Sequence, residues 1–118
     1  MPKKIKALVA DSDLDRLSKI YLTLLHKGYR VEATIDAEEI IARMERMKPN
    51  ILVLNNSIVN LTDEILNQIN QKRIPVLLVT DHLELDFDYG LKRFEILDKP
   101  NDLHSIDTKI KELINIMV

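Results

Sequence analysis

Two apolar periodicities alternate along the sequence, and this alternation limits the fold more than any other feature. Short runs of consecutive apolar residues indicate strands buried on both faces, whereas apolar residues three and four positions apart indicate amphipathic helices. Strand patterns cover residues 7–10, 29–35, 51–54, 76–79 and 94–97. Because strands and helices alternate with short loops, we predict a parallel sheet with right-handed crossovers and helices on both faces.

Four amphipathic helices are predicted between and after these strands. Their apolar residues at helical spacing are Leu14, Leu17, Ile20, Tyr21, Leu24 and Leu25 in the first helix, Ile40, Ile41, Met44 and Met47 in the second, Ile65, Leu66 and Ile69 in the third, and Leu103, Ile106, Ile110, Leu113, Ile114 and Met117 in the last. Gly28 is predicted to cap the end of the first helix, and Asp36 with Glu39 to form a capping box before the second. The third helix is expected from Asp63 to about Gln71.

The crossover between the fourth and fifth strands departs from this pattern. Its apolar residues Leu83, Leu85, Phe87 and Tyr89 alternate with the acids Glu84, Asp86 and Asp88. A period of two is not that of a helix. We therefore expect a short or irregular helix here, with the apolar residues either in the core or on an exposed face.

Composition narrows the classes of function. With 118 residues, the chain is expected to form one domain over residues 1–118. A net charge of −2 gives no field that would favour nucleic acid or an anionic membrane, and the absence of cysteine excludes disulfides and thiolate sites. The apolar run after the first lysines is too short for a signal peptide or a membrane span, so a cytoplasmic location is expected.

Polar residues stand at the carboxyl ends of the predicted strands. They are Asp11, Ser12 and Asp13 after the first strand, Asn55 and Asn56 after the third, Thr80 after the fourth and Lys99 after the fifth. In open parallel α/β sheets, binding sites form at this edge. The chain has only two glycines, which excludes a glycine-rich phosphate loop.

This arrangement resembles the receiver domain of two-component response regulators over essentially the whole chain. The resemblance implies a flavodoxin-like (CheY-like) three-layer α/β/α sandwich with a five-stranded parallel sheet in the order 2-1-3-4-5. In that family, an acidic pair after the first strand binds magnesium with help from an aspartate after the third strand, which accepts the phosphoryl group. A serine or threonine after the fourth strand and a lysine after the fifth contact that group.

Some family positions are kept in this chain and others are changed. The matching residues are Asp11, Thr80, Lys99 and Pro100. Ser12 replaces the second acid, Asn55 the phosphoacceptor, and Ile96 the aromatic residue that changes rotamer on activation. An amide nitrogen is a poor nucleophile because its lone pair is delocalised. Residues 49–62 contain no Asp or Glu, so a shifted alignment recovers no acceptor.

The substitutions at Ser12 and Asn55 also affect the expected binding of a metal ion. Replacing two of three carboxylates removes negative charge that Mg²⁺ requires, so we expect weak or absent magnesium binding and no cofactor. Asp13 is better placed as a helix N-cap than as a ligand. We also expect an Asp11–Lys99 ion pair. Thr80 and Asn55 are expected to form hydrogen bonds beside it.

The leading hypothesis is therefore a non-enzymatic signalling domain that binds a protein partner, or a second copy of itself, without phosphorylation. The expected interface residues are Leu85, Phe87, Tyr89, Lys92 and Arg93. No nucleic acid, membrane or small-molecule substrate is expected. Two alternatives stay open: an active receiver that accepts a phosphoryl group at an atypical residue, and a flavodoxin-like domain that binds a small molecule at the strand ends.

Overall fold

The computed structural model describes residues 4–80, 103 and 105–115, together with the backbone of 94–97. The strands are β1 (Lys6–Ala10), β2 (Arg30–Thr34), β3 (Ile51–Asn55), β4 (Val76–Val79) and β5 (Phe94–Leu97). The helices are α1 (Leu14–His26), α2 (Ile40–Met47), α3 (Asp63–Gln71) and α4 (Ile106–Asn115), with a 3₁₀ turn at Ala37–Glu39 before α2. None of these helices is long and apolar enough to cross a membrane.

All five strands lie parallel in one sheet in the order β2-β1-β3-β4-β5, which confirms the predicted topology. The register aligns Ala10 of β1 with Leu54 of β3, and Asn55 of β3 with Val79 of β4. The carboxyl ends of β1, β3 and β4 therefore reach the same edge of the sheet. The residues that directly follow these three strands therefore lie at that edge.

Helices cover both faces of the sheet, and this explains the uninterrupted apolar runs of the strands. In β1, Ala7 and Val9 pack on the side of α1 and α4, whereas Leu8 and Ala10 pack on the side of α2 and α3. All four side chains are fully buried. Consecutive residues of one strand thus belong to two separate apolar cores.

The apolar set of α1 is wider than its buried face. Leu17, Ile20 and Leu24 are buried, but Leu14 and Leu25 are 64% and 47% exposed. At 100° per residue, Leu14 and Leu25 fall beside the buried row rather than within it. Residue type alone does not separate these two groups, because leucine occurs in both, whereas position around the helix does.

The end of α1 confirms the predicted glycine cap. Gly28 has φ of 89°, in the left-handed region that glycine tolerates without strain. Its amide donates to the carbonyl of Leu25 at 3.0 Å, and the amide of Tyr29 donates to that of Leu24 at 3.1 Å. These two hydrogen bonds end the helix and direct the chain towards β2.

The predicted capping box before α2 is only half formed. The Asp36 carboxylate accepts from the amide of Glu38 at 2.9 Å, as an N-cap does. The Glu39 carboxylate does not return to the Asp36 amide but accepts from the hydroxyl of Thr34 at 2.9 Å. Thr34 is buried at the end of β2, so a nearby hydroxyl donor has replaced the backbone amide as the partner of Glu39.

A polar contact ties Tyr29, the residue before β2, to the last helix. The phenol of Tyr29 donates to Asp107 Oδ1 at 2.5 Å, and Lys111 Nζ lies 3.2 Å from Asp107 Oδ2. Burial, followed by the bond to the Asp107 carboxylate, raises the pKa of Tyr29 far above 10.0. Burial opposes ionisation of Asp107, but the hydrogen bonds from Tyr29 and Lys111 outweigh it and lower the Asp107 pKa.

Candidate functional site

The buried polar residues of the described chain all lie at the carboxyl edge of the sheet. They are Thr34 at the end of β2, Asp11 after β1, Asn55 at the end of β3 and Thr80 after β4. Asp11 is 1% exposed and Asn55 is 2% exposed. Buried polar groups require hydrogen-bond partners, and these partners define what the edge can do.

Asp11 is bound by Arg16, a residue that the sequence reasoning missed. Arg16 Nε lies 2.5 Å from Asp11 Oδ2, and Arg16 Nη2 lies 2.8 Å from Asp11 Oδ1. The amide of Asp13 also donates to Asp11 Oδ1 at 2.9 Å. The Arg16 side chain is 17% exposed, so its guanidinium covers the carboxylate. This two-pronged geometry is the strongest form of an arginine–carboxylate pair.

Asp13 explains why Arg16 reaches this position. Its carboxylate accepts from the backbone amide of Arg16 at 3.1 Å, which confirms the predicted N-cap of α1. That hydrogen bond lowers the pKa of Asp13. The cap fixes the direction in which the helix leaves β1, and the first turn then carries Arg16 back over the strand end. The signal in the sequence was an arginine three residues after a capping acid.

Ser12 joins two neighbouring loops. Its hydroxyl donates to the carbonyl of Ile35 at 2.9 Å and accepts from the amide of Val59 at 2.8 Å. A carboxylate at this position could accept from Val59 but could not donate to Ile35. The serine therefore makes a connection that the acid of an active receiver cannot make.

Further bonds hold the same two loops together. The Ala37 amide donates to the Val59 carbonyl at 3.0 Å, and Asp36 and Val59 form an isolated parallel bridge. The Asn60 side-chain amide lies 3.1 Å from both carboxylate oxygens of Asp36. Asn60 has φ of 64°, a conformation that asparagine tolerates better than most residues. We call this set, with Ser12 at its centre, the loop staple.

The side chain of Asn55 forms hydrogen bonds with the loop that directly follows β3. Its side-chain oxygen accepts from the amide of Ser57 at 2.8 Å and from the Ser57 hydroxyl at 2.5 Å. The backbone carbonyl of Asn55 accepts from the Ile58 amide at 3.2 Å. The amide oxygen is thus engaged by the residue two positions on. Ser57 was not identified as a partner from the sequence.

The described residues do not fit a magnesium ion. Where the resemblance places the three ligands, the chain has Asp11, Ser12 and Asn55, of which only Asp11 is a carboxylate, and each side chain has a hydrogen-bond partner in the described chain. Within the described ranges, no three acidic, histidine or cysteine side chains converge. Arg16 also places a positive charge beside the one remaining carboxylate, which disfavours a second cation.

Several predicted site residues lie outside the described residues: Lys99, Pro100 and all five expected interface residues, Leu85, Phe87, Tyr89, Lys92 and Arg93. Ile96 lies in β5, next to Leu78 of β4, and only its backbone is described. The expected Asp11–Lys99 pair therefore stays a prediction. Thr80 is buried directly after β4, at the edge where it was expected.

Solved receiver domains have the same architecture. The CheY-like response regulator receiver domain protein from Methanospirillum hungatei aligns with a TM-score of 0.75 and 22% identity, covering 97% of this chain and 99% of that one. The receiver domain of Francisella response regulator 1452 aligns with a TM-score of 0.76 and 17% identity, covering 98% and 100%.

A third receiver protein extends this comparison. Chemotaxis response regulator CheY4 of Vibrio cholerae aligns with a TM-score of 0.74 and 17% identity, covering 92% of this chain and 99% of that one. No family model and no curated protein matches the sequence. The chain therefore has the CheY-like fold of receiver domains, and the chemistry of its own edge must be argued from its own residues.

Proposed function

We propose that this chain is a receiver-like signalling domain of a two-component system that accepts no phosphoryl group and acts by contact with a protein partner. The observation that carries the proposal is the state of Asn55. It stands at the end of β3, where the resemblance to receiver domains implies the acceptor, it is buried, and its oxygen is bound by Ser57.

The chemistry of phosphoryl transfer supports this proposal. The reaction needs a nucleophilic oxygen in line with the phosphorus and a cation that neutralises the developing charge. An amide offers neither a free carboxylate oxygen nor a negative charge for the metal. The positive charge of Arg16 does not replace the metal ion. Its guanidinium is already bound to Asp11, and it cannot coordinate several oxygen atoms as Mg²⁺ does.

Exposed apolar side chains near the same edge support a protein partner. Ile35 and Val59 are each 51% exposed, and Ser12 bonds to the backbones of both. Leu14, two residues after Ser12, is 64% exposed. Such a group is more typical of a contact surface than of a solvated loop. It adds to the interface expected from Phe87 and Tyr89, two residues outside the described part of the chain.

Phosphoryl uptake tests the proposal directly. The protein is incubated with acetyl phosphate and Mg²⁺, next to an active receiver domain as a positive control, and both are analysed by intact-protein mass spectrometry. We expect no phosphoryl adduct on this chain while the control is modified. A phosphoryl adduct on any residue of this chain would overturn the proposal.

The contact surface is tested separately with charge substitutions. Val59→Asp is expected to abolish binding of a signalling partner, whereas Leu22→Asp, at an equally exposed leucine of α1, should leave it unchanged. Phe87→Ala with Tyr89→Ala tests the second surface. Equal binding by wild type and all of these variants would exclude both surfaces.

A further inference from the structure

A positively charged pocket lies at the amino-terminal edge of the sheet, opposite the candidate site. Its volume is about 290 Å³, and it is lined by Lys6, Arg30, Glu32, Arg46 and Met47. Lys6 and Arg30 are the first residues of β1 and β2, and Arg46 and Met47 are the last residues of α2. The beginnings of two strands and the end of one helix thus form its walls.

The charges around this pocket are unbalanced. Three cationic side chains face one carboxylate, which leaves a local charge of plus two in a chain whose net charge is −2. The single carboxylate is further shared, because Glu32 Oε1 lies 2.9 Å from Arg46 Nη2 and 3.4 Å from Arg43 Nη1. Little of its charge is left to offset Lys6 and Arg30.

Lys6 and Arg30 are direct partners in the β1–β2 register. Like charges on paired residues of adjacent strands are unfavourable, and an anion bound between these two side chains would offset their repulsion. Protection of a sheet edge explains an arginine on β2, which is an edge strand. It does not explain Lys6, because β1 lies inside the sheet between β2 and β3.

Two of the cations are held in place by the protein itself. Lys6 Nζ donates to the carbonyl of Met47 at 3.4 Å, and Arg46 is held by Glu32. Within the described part of the chain, Arg30 forms no ion pair, and its side chain is exposed. A preorganised ammonium next to an available guanidinium fork is the donor set that binds phosphate oxygens.

We propose that this pocket binds a small phosphate-bearing polyanion, with pyrophosphate or the diphosphate of a nucleotide as the recognised group. The volume is near the lower end of the range for small-molecule pockets, roughly 300–1,000 Å³, and therefore suits one compact anion. This site is independent of Asn55 and of the loop staple, which lie at the other end of the strands.

Calorimetric titration of the whole chain with sodium pyrophosphate at low ionic strength tests the proposal. We expect saturable binding, and we expect Lys6→Gln with Arg30→Gln to weaken it by at least about tenfold. The matched control is Lys19→Gln with Lys111→Gln, which removes the same charge from exposed helix positions and should leave the affinity unchanged. Arg30→Gln alone serves as a variant whose fold is not at risk, since its side chain is exposed.

The outcomes separate the alternatives. Absence of saturable pyrophosphate binding would overturn the proposal, as would equal weakening by both double variants, because that would indicate general electrostatic attraction. Titration with ADP tests whether a nucleotide can present the group, and tighter binding of ADP than of pyrophosphate supports a nucleotide as the source. Tighter binding of citrate than of pyrophosphate would exclude phosphate as the recognised group.

Discussion

Arg16 binds the buried carboxylate of Asp11 through two nitrogen–oxygen contacts of 2.5 and 2.8 Å. The pair links the end of β1 to the first turn of α1. It also places the cation of the site on the protein chain, where an active receiver depends on a metal ion. We therefore expect the electrostatics of the edge to be set by Arg16 rather than by a bound metal ion.

Removal of Arg16 is expected to destabilise the protein strongly. Arg16→Met leaves the Asp11 carboxylate buried without its counter-ion, which we expect to lower the free energy of unfolding by about 3 kcal/mol. Lys19→Met is the matched control, since Lys19 forms a solvent-exposed ion pair with Asp15. It should lower the free energy of unfolding by less than about 0.5 kcal/mol. Urea denaturation measures both values. Similar losses for the two variants would contradict the ion pair seen here.

The Ser12 hydroxyl is expected to hold the two loops of the staple together. Ser12→Ala removes both of its hydrogen bonds and should lower the unfolding free energy by about 1–2 kcal/mol. Hydrogen exchange of the Val59 amide should accelerate, because this amide loses its acceptor. Ser18→Ala, at an exposed position of α1, is the control and should leave the exchange of Val59 unchanged. Unaltered exchange in Ser12→Ala would exclude the staple.

Magnesium binding is expected to need three changes at once. The wild-type protein should show no saturable heat with millimolar Mg²⁺, because Arg16 and the hydrogen bonds of Ser12 and Asn55 engage the edge. The variant Ser12→Asp, Arg16→Met, Asn55→Asp restores the carboxylates and removes the competing cation, so it should bind Mg²⁺ saturably. Circular dichroism checks that this variant is folded. Saturable binding by the wild type would refute the prediction.

The Tyr29–Asp107 contact is expected to make stability depend on pH at both extremes. Tyr29→Phe should cost about 1.5 kcal/mol at neutral pH. The Asp107 pKa is lowered, so its contribution is present above 3.8 and is lost as the pH falls through the lowered pKa. The Tyr29 pKa is raised, so its contribution is complete below 10.0 and is lost as the pH rises above that value.

Thermal unfolding of wild type and Tyr29→Phe from acid to alkaline pH measures this dependence. The difference between the two proteins should be largest on the plateau between the two limits and should shrink towards each extreme. Tyr21→Phe provides the control, since Tyr21 is a partly exposed tyrosine on α1. A difference that stays constant down to strongly acidic pH would exclude the bond to the Asp107 carboxylate.

The sequence predicted the fold because strand and helix periods differ and each strand is buried on both faces. It also predicted that polar residues meet at the carboxyl edge, since parallel strands end there together. It did not predict the contacts among them. The Arg16–Asp11 pair depends on the angle at which α1 leaves β1, and the Ser12 bonds depend on two loops that meet only in the folded chain. Both are tertiary properties: the position of Arg16 three residues after the capping Asp13 indicates a candidate cation, but it does not indicate the partner.

The position of the four buried polar residues at one edge of the sheet affects which substitutions the fold can accept. Those four side chains stand at the strand ends, beyond the apolar residues that hold the helices to the sheet. The residues that determine the fold and the residues that determine the chemistry are therefore different. Substitutions at the edge can change or remove the chemistry while the surface that a partner contacts keeps its shape.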